Sequence, residues 1–186
     1  MPSLASPPHH DVQLLRSVSD AQLQGLADLL IDCVDGGASV SFMHPLARAK
    51  ALEFWRGMAD AAARGERALL VAEGADGIVG TVQLLLNQPE NQPHRADLAK
   101  MLVHRRARRQ GLGERLLNAA EQVAREAGKS LLVLDTASED AARLYARLGW
   151  QPCGVVPGYA LLPRGGLCDT TYFYRLLSRK EPAPSS

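Results

Sequence analysis

The spacing of apolar and polar positions changes several times along the chain, and each change marks an element. Residues 12–18 (VQLLRSV) read as a first strand. Behind it Leu23, Leu26, Leu30 and Val34 recur at helical spacing, with Ser19 or Asp20 as cap and Gly36-Gly37 as stop. A second helix is predicted over about 45–63, where Leu46, Ala49, Leu52, Phe54, Trp55 and Met58 supply an apolar side. Strands at 68–73 and 77–86 flank Gly74-Ala75-Asp76-Gly77, a strong hairpin signal. The loop 87–94 (NQPENQPH) holds two prolines and four amides, which is long for a hairpin and suits a functional loop on a rigid scaffold.

Residues 96–103 (ADLAKMLV) make the next strand, and a basic connector follows, ending in Gly111-Leu112-Gly113. Leu112, Leu116, Ala119, Ala120, Val123 and Ala127 then mark one face of a helix that Gly128 ends. Residues 131–135 (LLVLD) are apolar up to Asp135, which predicts a central strand buried on both faces. Thr136 to Glu139 fits a capping box opening a helix through AARLYARLGW. Strands at 151–156 and 170–177 bracket a loop at 157–169. Residues 1–10 and 179–186 are Pro/Ser-rich tails without periodicity, leaving one domain at 11–178. The alternation means α/β with a mixed sheet.

At 186 residues the chain suits one core, and 46% hydrophobic content excludes wholesale disorder. A net charge of +1 argues against a protein that coats nucleic acid. Three cysteines (Cys33, Cys153, Cys168) without a CxxC pair make no disulfide framework, which suits a reducing compartment. No run reaches membrane-spanning length, and the start lacks the order of a signal peptide. A soluble, cytoplasmic protein is expected, with no nucleic-acid or membrane partner.

The basic character is local, with four arginines in five positions at 105–109 beside Gly-x-Gly. Backbone N–H groups freed by glycine, the positive end of a helix and arginines together make a pyrophosphate cradle. A nucleoside-triphosphate P-loop would need a lysine and a hydroxyl after the glycine, and Gly113 is followed by neither. A Rossmann turn would use Asp135 as its ribose acid, but its third glycine position holds Leu116, and the connector from Val103 is too long.

Arg108-x-x-Gly111-x-Gly113 resembles the pyrophosphate signature of the GNAT acetyltransferase superfamily, and Tyr145 stands four residues before Gly149-Trp150 as in that superfamily. The likeness spans most of 11–178. It implies a single-domain, mostly antiparallel mixed sheet flanked by helices and splayed at the cofactor site, with acetyl-CoA as co-substrate. Segments 36–58, 82–113, 131–150 and 157–171 further resemble the tabtoxin-resistance acetyltransferases of that superfamily, which implies an amino-acid-like acceptor amine, including a β-lactam toxin or antibiotic, and a resistance role.

The resemblance also implies roles. Met101, Leu102 and Val103 would offer backbone groups to the acetyl and pantetheine portions. Arg108, Arg109, Gln110, Gly111, Leu112 and Gly113 would hold the pyrophosphate, mostly through main-chain N–H, with Arg105 or Arg106 reaching a further phosphate. Tyr145 would contact the cofactor and donate a proton to its thiolate; its alternative is a core tyrosine. Ser138, where many members carry asparagine, would touch pantetheine. Asp135 and Glu90 are candidates to share the acceptor amine as base or electrostatic partner. For Asp135 the competing reading is helix capping, and for Glu90 a plain surface acid. Tyr159 is a candidate for the acceptor pocket. His44, His94 and His104 lack ligand spacing, so no metal is assigned, and Cys153 and Cys168 lack activating neighbours. The proline-bounded loops at 87–93 and 157–168 suggest a covered pocket for a small-molecule amine. A protein N-acetyltransferase and a non-catalytic CoA-binding sensor are the rival readings, and homodimerisation is left open.

Overall fold

A computed structural model of the chain describes residues 10–177. The trailing tail assigned to 179–186 lies outside that span, as do residues 1–9. His10, placed in the leading tail by its sequence, is buried: its carbonyl accepts from Arg115 at 3.2 Å.

The first strand, β1 (Asp11–Leu15), leads to α1 (Asp20–Asp35) through Ser19, whose hydroxyl accepts from Gln22 N–H while the Gln22 side chain accepts from Ser19 N–H. That reciprocal box satisfies two donors at the helix start. Helix α2 (Arg48–Ala63) follows, then strands β2 (Arg67–Gly74), β3 (Gly77–Leu85) and β4 (Arg95–Val103). Helix α3 (Leu112–Glu126), β5 (Leu131–Thr136), α4 (Glu139–Arg147), β6 (Gln151–Leu161) and β7 (Leu167–Leu176) complete the described chain.

Among the described residues seven strands form one sheet, ordered β1-β2-β3-β4-β5-β7-β6, antiparallel except where β4 runs parallel to β5. This is the expected mixed, mostly antiparallel α/β architecture. The sheet is two-sided. Alternate positions of β2 send Leu69 and Val71 toward α1 and α2, while Ala68, Leu70 and Ala72 join the core with α3 and Tyr145.

Three sequence expectations need correction. Strand β5 is not buried throughout: Leu132 and Leu134 are buried, Leu131 and Val133 only half-buried. The core on the α1/α2 side draws on β1 to β4 and takes nothing from β5, so that face of β5 has no helix layer over it. Thr136 is the last residue of β5, and Ser138 caps α4 instead, accepting from Ala141 N–H at 3.3 Å. The segment 157–169 is mostly strand rather than loop, since β6 and β7 extend through it to a short turn where Gly165 and Gly166 hold φ of 98° and 86°. Pro152 and Pro157 obscure this in the sequence. They are tolerated because β6 is an edge strand with register shifts at 152–154 and 156–160, where a missing N–H costs no ladder bond.

Candidate active site

The parallel pairing of β4 and β5 is short: Arg95, Ala96 and Asp97 face Leu131, Leu132 and Val133, and beyond them the strands part. A cleft of about 1090 Å³ opens in the gap, lined by 98–103 of β4, 134–136 of β5, the N-terminus of α3 and residues 36–43 of the α1–α2 connection. That volume exceeds the usual small-ligand pocket, as a site for two reactants would require. Strand β4 carries a bulge here. Thr81 pairs with Leu102 and Gln83 with Ala99, so two residues oppose Val82, and Lys100 takes a left-handed φ of 49°.

The basic connector turns through a short 3₁₀ segment (Arg105–Ala107) into α3. Arg109 (φ 60°) and Gly111 (φ 72°, the helix N-cap) both have left-handed backbone, the kind of turn that gathers main-chain N–H groups into an anion-binding concavity. Arg108 and Arg109 line the cleft, and Arg108 Nε donates to the Val103 carbonyl at 3.2 Å. Arg105 and Arg106, by contrast, face away from it. Arg105 donates to Asp32 from both its backbone N (2.9 Å) and its Nε (2.8 Å), and Arg106 donates to the Asp76 carbonyl at 2.8 Å. Neither matches the expected reach to a further phosphate. Burial works against the Asp32 charge, but the Arg105 bonds and nearby His104 outweigh it and hold the carboxyl below its ordinary range. Gln110 turns its amide back to the Arg106 carbonyl (3.1 Å) and does not line the cleft.

Met101, Leu102, Val103, Leu112 and Gly113 all line the cleft. So does Tyr145, which is 3% exposed with its ring 5.8 Å from those of Trp150 and Phe173. The Tyr-x-x-x-Gly-Trp spacing has a local cause. Gly149 (φ 85°) closes α4, Trp150 N–H donates to the Tyr145 carbonyl at 3.0 Å, and the indole folds back on the phenol. Burial, with a smaller effect of Asp135, pushes the Tyr145 phenol well above its ordinary value, so it stays protonated at neutral pH.

Asp135 also lines the cleft, but as an exposed residue rather than a buried one. Thr170 Oγ1 donates to one of its oxygens at 2.9 Å, which fixes the direction of the carboxylate. Ser138 borders the same cleft with its hydroxyl engaged as the α4 cap. Glu90 is exposed in the β3–β4 connection, below the paired stretch of β4 and β5, and does not line the cleft. Tyr159 does line it, its hydroxyl accepting from Tyr172 at 3.0 Å; that bond, with some desolvation, pushes Tyr172 up to about 12. Sequence reasoning missed Lys100, Ser41 and Thr170. A lysine set among Leu98, Ala99, Met101, Leu102 and Val103 at the end of β4 was the one available signal.

A sequence model of the acetyltransferase (GNAT) family matches residues 24–150. An uncharacterized N-acetyltransferase of the hisH-hisA intergenic region of Azospirillum brasilense is 32% identical over 126 residues, 67% of this chain and 73% of that protein. Two solved structures share the fold. The ribosomal-protein-alanine N-acetyltransferase of Brucella melitensis has a TM-score of 0.76 at 22% identity, covering 90% of this chain and 99% of that one. The phosphinothricin acetyltransferase of Sinorhizobium meliloti, in complex with acetyl-CoA, has 0.74 at 17% identity, covering 95% and 94%.

Proposed function

This chain belongs to the acetyltransferase (GNAT) family, and from that premise we propose that 11–178 act as an acetyl-CoA-dependent N-acetyltransferase for the amine of a small amino-acid-like acceptor. The observation that carries the reading is one continuous cleft, bordered by the Arg108–Gly113 turn on one side and by Asp135 and Tyr145 on another. Likeness to the tabtoxin-resistance enzymes, and the phosphinothricin acetyltransferase among the fold relatives, favour an acceptor of toxin or antibiotic type.

Acetyl-CoA supplies an acyl group already activated as a thioester. The chain's part is to hold, orient and move protons. The helix N-terminus and left-handed turn at 109–111, with Arg108 and Arg109, receive the pyrophosphate. The edge of β4 beyond Asp97, left without a strand partner on the β5 side, offers main-chain groups at Met101 to Val103 to the acetyl and pantetheine portions. One N–H aimed at the carbonyl oxygen as charge develops is worth about 3 kcal/mol. Asp135, held by Thr170, attracts the acceptor's ammonium and accepts its proton directly or through water. The protonated Tyr145 phenol supplies a proton to the departing thiolate. Ser138 borders the pantetheine path.

The edge strand β6 exposes Val155 at 60%, and β7 exposes Leu167 at 71%. Such an apolar hairpin on an open sheet edge favours a homodimer built across it.

Thiol release from acetyl-CoA, measured with small amines, free amino acids and short peptides, tests the activity. Release with small amino-acid-like amines is expected. Release with peptides alone would favour protein acetylation, and coenzyme A binding without any release would favour a sensor.

A further inference from the structure

Lys100 brings an ammonium into the cleft from the bulge of β4. Its position is specific. The side chain crosses to the α1/α2 side of the sheet, where Nζ donates to Ser41 Oγ at 3.0 Å and stands 5.8 Å from the centre of the Phe54 ring. The cradle is built at the start of α3, on the other face. Lys100 (φ 49°) and Ser41 (φ 76°) both hold left-handed backbone, which non-glycine residues adopt at a cost and which gathers at functional sites. The bulge is what turns the lysine inward.

The charge is left incomplete. Among the described residues no carboxylate lies within ion-pair distance of Nζ, and Ser41 is its hydrogen-bond acceptor. Asp135 acts on it through space, Arg67 opposes that effect, and burial pulls the lysine below its ordinary range. A desolvated ammonium with an aromatic wall and a single neutral acceptor lacks an anion. Asp135 stands in the same cleft with the opposite sign.

We propose that the acceptor is a zwitterionic α-amino acid, its carboxylate bound by Lys100 Nζ and its amine set toward Asp135. The inference rests on the acetyl-transfer reading and deepens it by naming the acceptor's anionic group. Ser41 holds the ammonium in place and Phe54 walls it. The bland alternative gives Lys100 only a strut role, tying the α1–α2 connection to β4.

The full chain is assayed with saturating acetyl-CoA, L-amino acids and their matched L-amino-acid amides. Binding of N-acetyl-amino acids and their amides is measured alongside by calorimetry with coenzyme A present. Wild type favours acids over amides at least about tenfold in kcat/KM, the scale of one charge-assisted hydrogen bond. In Lys100→Met the acid-to-amide ratio falls toward one, and Lys100→Arg restores most of it. A strut role would depress acids and amides alike and leave the ratio intact. Equal use of acids and amides by wild type, or a ratio that survives Lys100→Met, overturns the proposal. If no amine releases thiol, the acetyl-transfer reading fails and the calorimetry decides this one: acids must bind more tightly than amides, through Lys100, or it too is overturned.

Discussion

Gly113 packs so close to α4 that a Cβ on it would stand 2.9 Å from Leu144 Cδ2 and 3.2 Å from Met101 Cε. Gly111, two residues earlier, has open space at the same position but a φ of 72°. The two glycines of one motif therefore serve different ends: one permits a backbone conformation, the other a close approach at the cleft. Gly111→Ala should cost about 1–2 kcal/mol, the penalty of left-handed backbone. Gly113→Ala meets only the ends of two flexible side chains and gains up to about 1 kcal/mol of helix propensity, so its stability should change little while displaced Met101 raises the KM for acetyl-CoA. Urea unfolding and donor titration of both variants separate the effects, and a fully stable Gly111→Ala would contradict the account.

Tyr145 is expected to act as an acid and not as a donor-binding anchor. Tyr145→Phe keeps the ring packed against Trp150 and Phe173 and removes the proton. Turnover should fall about a hundredfold, with the KM for acetyl-CoA little altered. Stability carries a second signature. The raised phenol pKa means that its contribution is fully present below pH about 10 and is lost as pH rises above that value, because the unfolded phenol ionises first. The phenylalanine variant should lose less stability than wild type in that alkaline window, which thermal unfolding against pH would show.

Asp32 ties the end of α1 to the turn that precedes the glycine loop, through two bonds from Arg105. Its carboxyl is depressed, so its stabilisation is present above the ordinary carboxylate value of 3.8 and is lost as pH falls through the lower folded value. Asp32→Asn should destabilise by about 1–2 kcal/mol at neutral pH, a figure reduced because the Arg105 side chain is half exposed. The gap from wild type should narrow below pH 4. Denaturant midpoints measured across pH test this, and a constant gap would assign the loss to packing.

Local rules made most of this fold legible, and long-range ones hid the rest. Ser19, Gly36 and the periodic leucines of α1 announce a helix because caps and spacing are properties of neighbouring residues. The cradle is legible for the same reason. The end of β6 was not, because Pro157 in a strand is acceptable only at a sheet edge, and edge position depends on pairing with β7. The four arginines looked alike in sequence. Which two face the cleft depends on Asp32 and on the Asp76 carbonyl, 73 and 30 residues from their partners. Lys100 stood out only as a lysine among apolar residues, and its direction was hidden, since it follows from a bulge set against β3.

Asp135 and Glu90 looked equivalent as acids for the acceptor amine, and their different surroundings now predict different outcomes. Asp135 lines the cleft with its carboxylate held by Thr170, while Glu90 is exposed below the paired stretch of β4 and β5. Asp135→Asn preserves the size of the side chain and an acceptor oxygen for Thr170, and removes only the charge. Its kcat/KM for the amine should fall about a hundredfold, the lower end of the range for a positioned base, with the KM for acetyl-CoA nearly constant. The loss should shrink for weakly basic amines, which are already neutral at the assay pH and so need no deprotonation before attack, only the removal of one proton as the amide forms. Glu90→Ala, a surface change, should stay within about twofold of wild type. A loss in Asp135→Asn that is the same for weakly and strongly basic amines would mean that the carboxylate shapes the pocket and handles no proton.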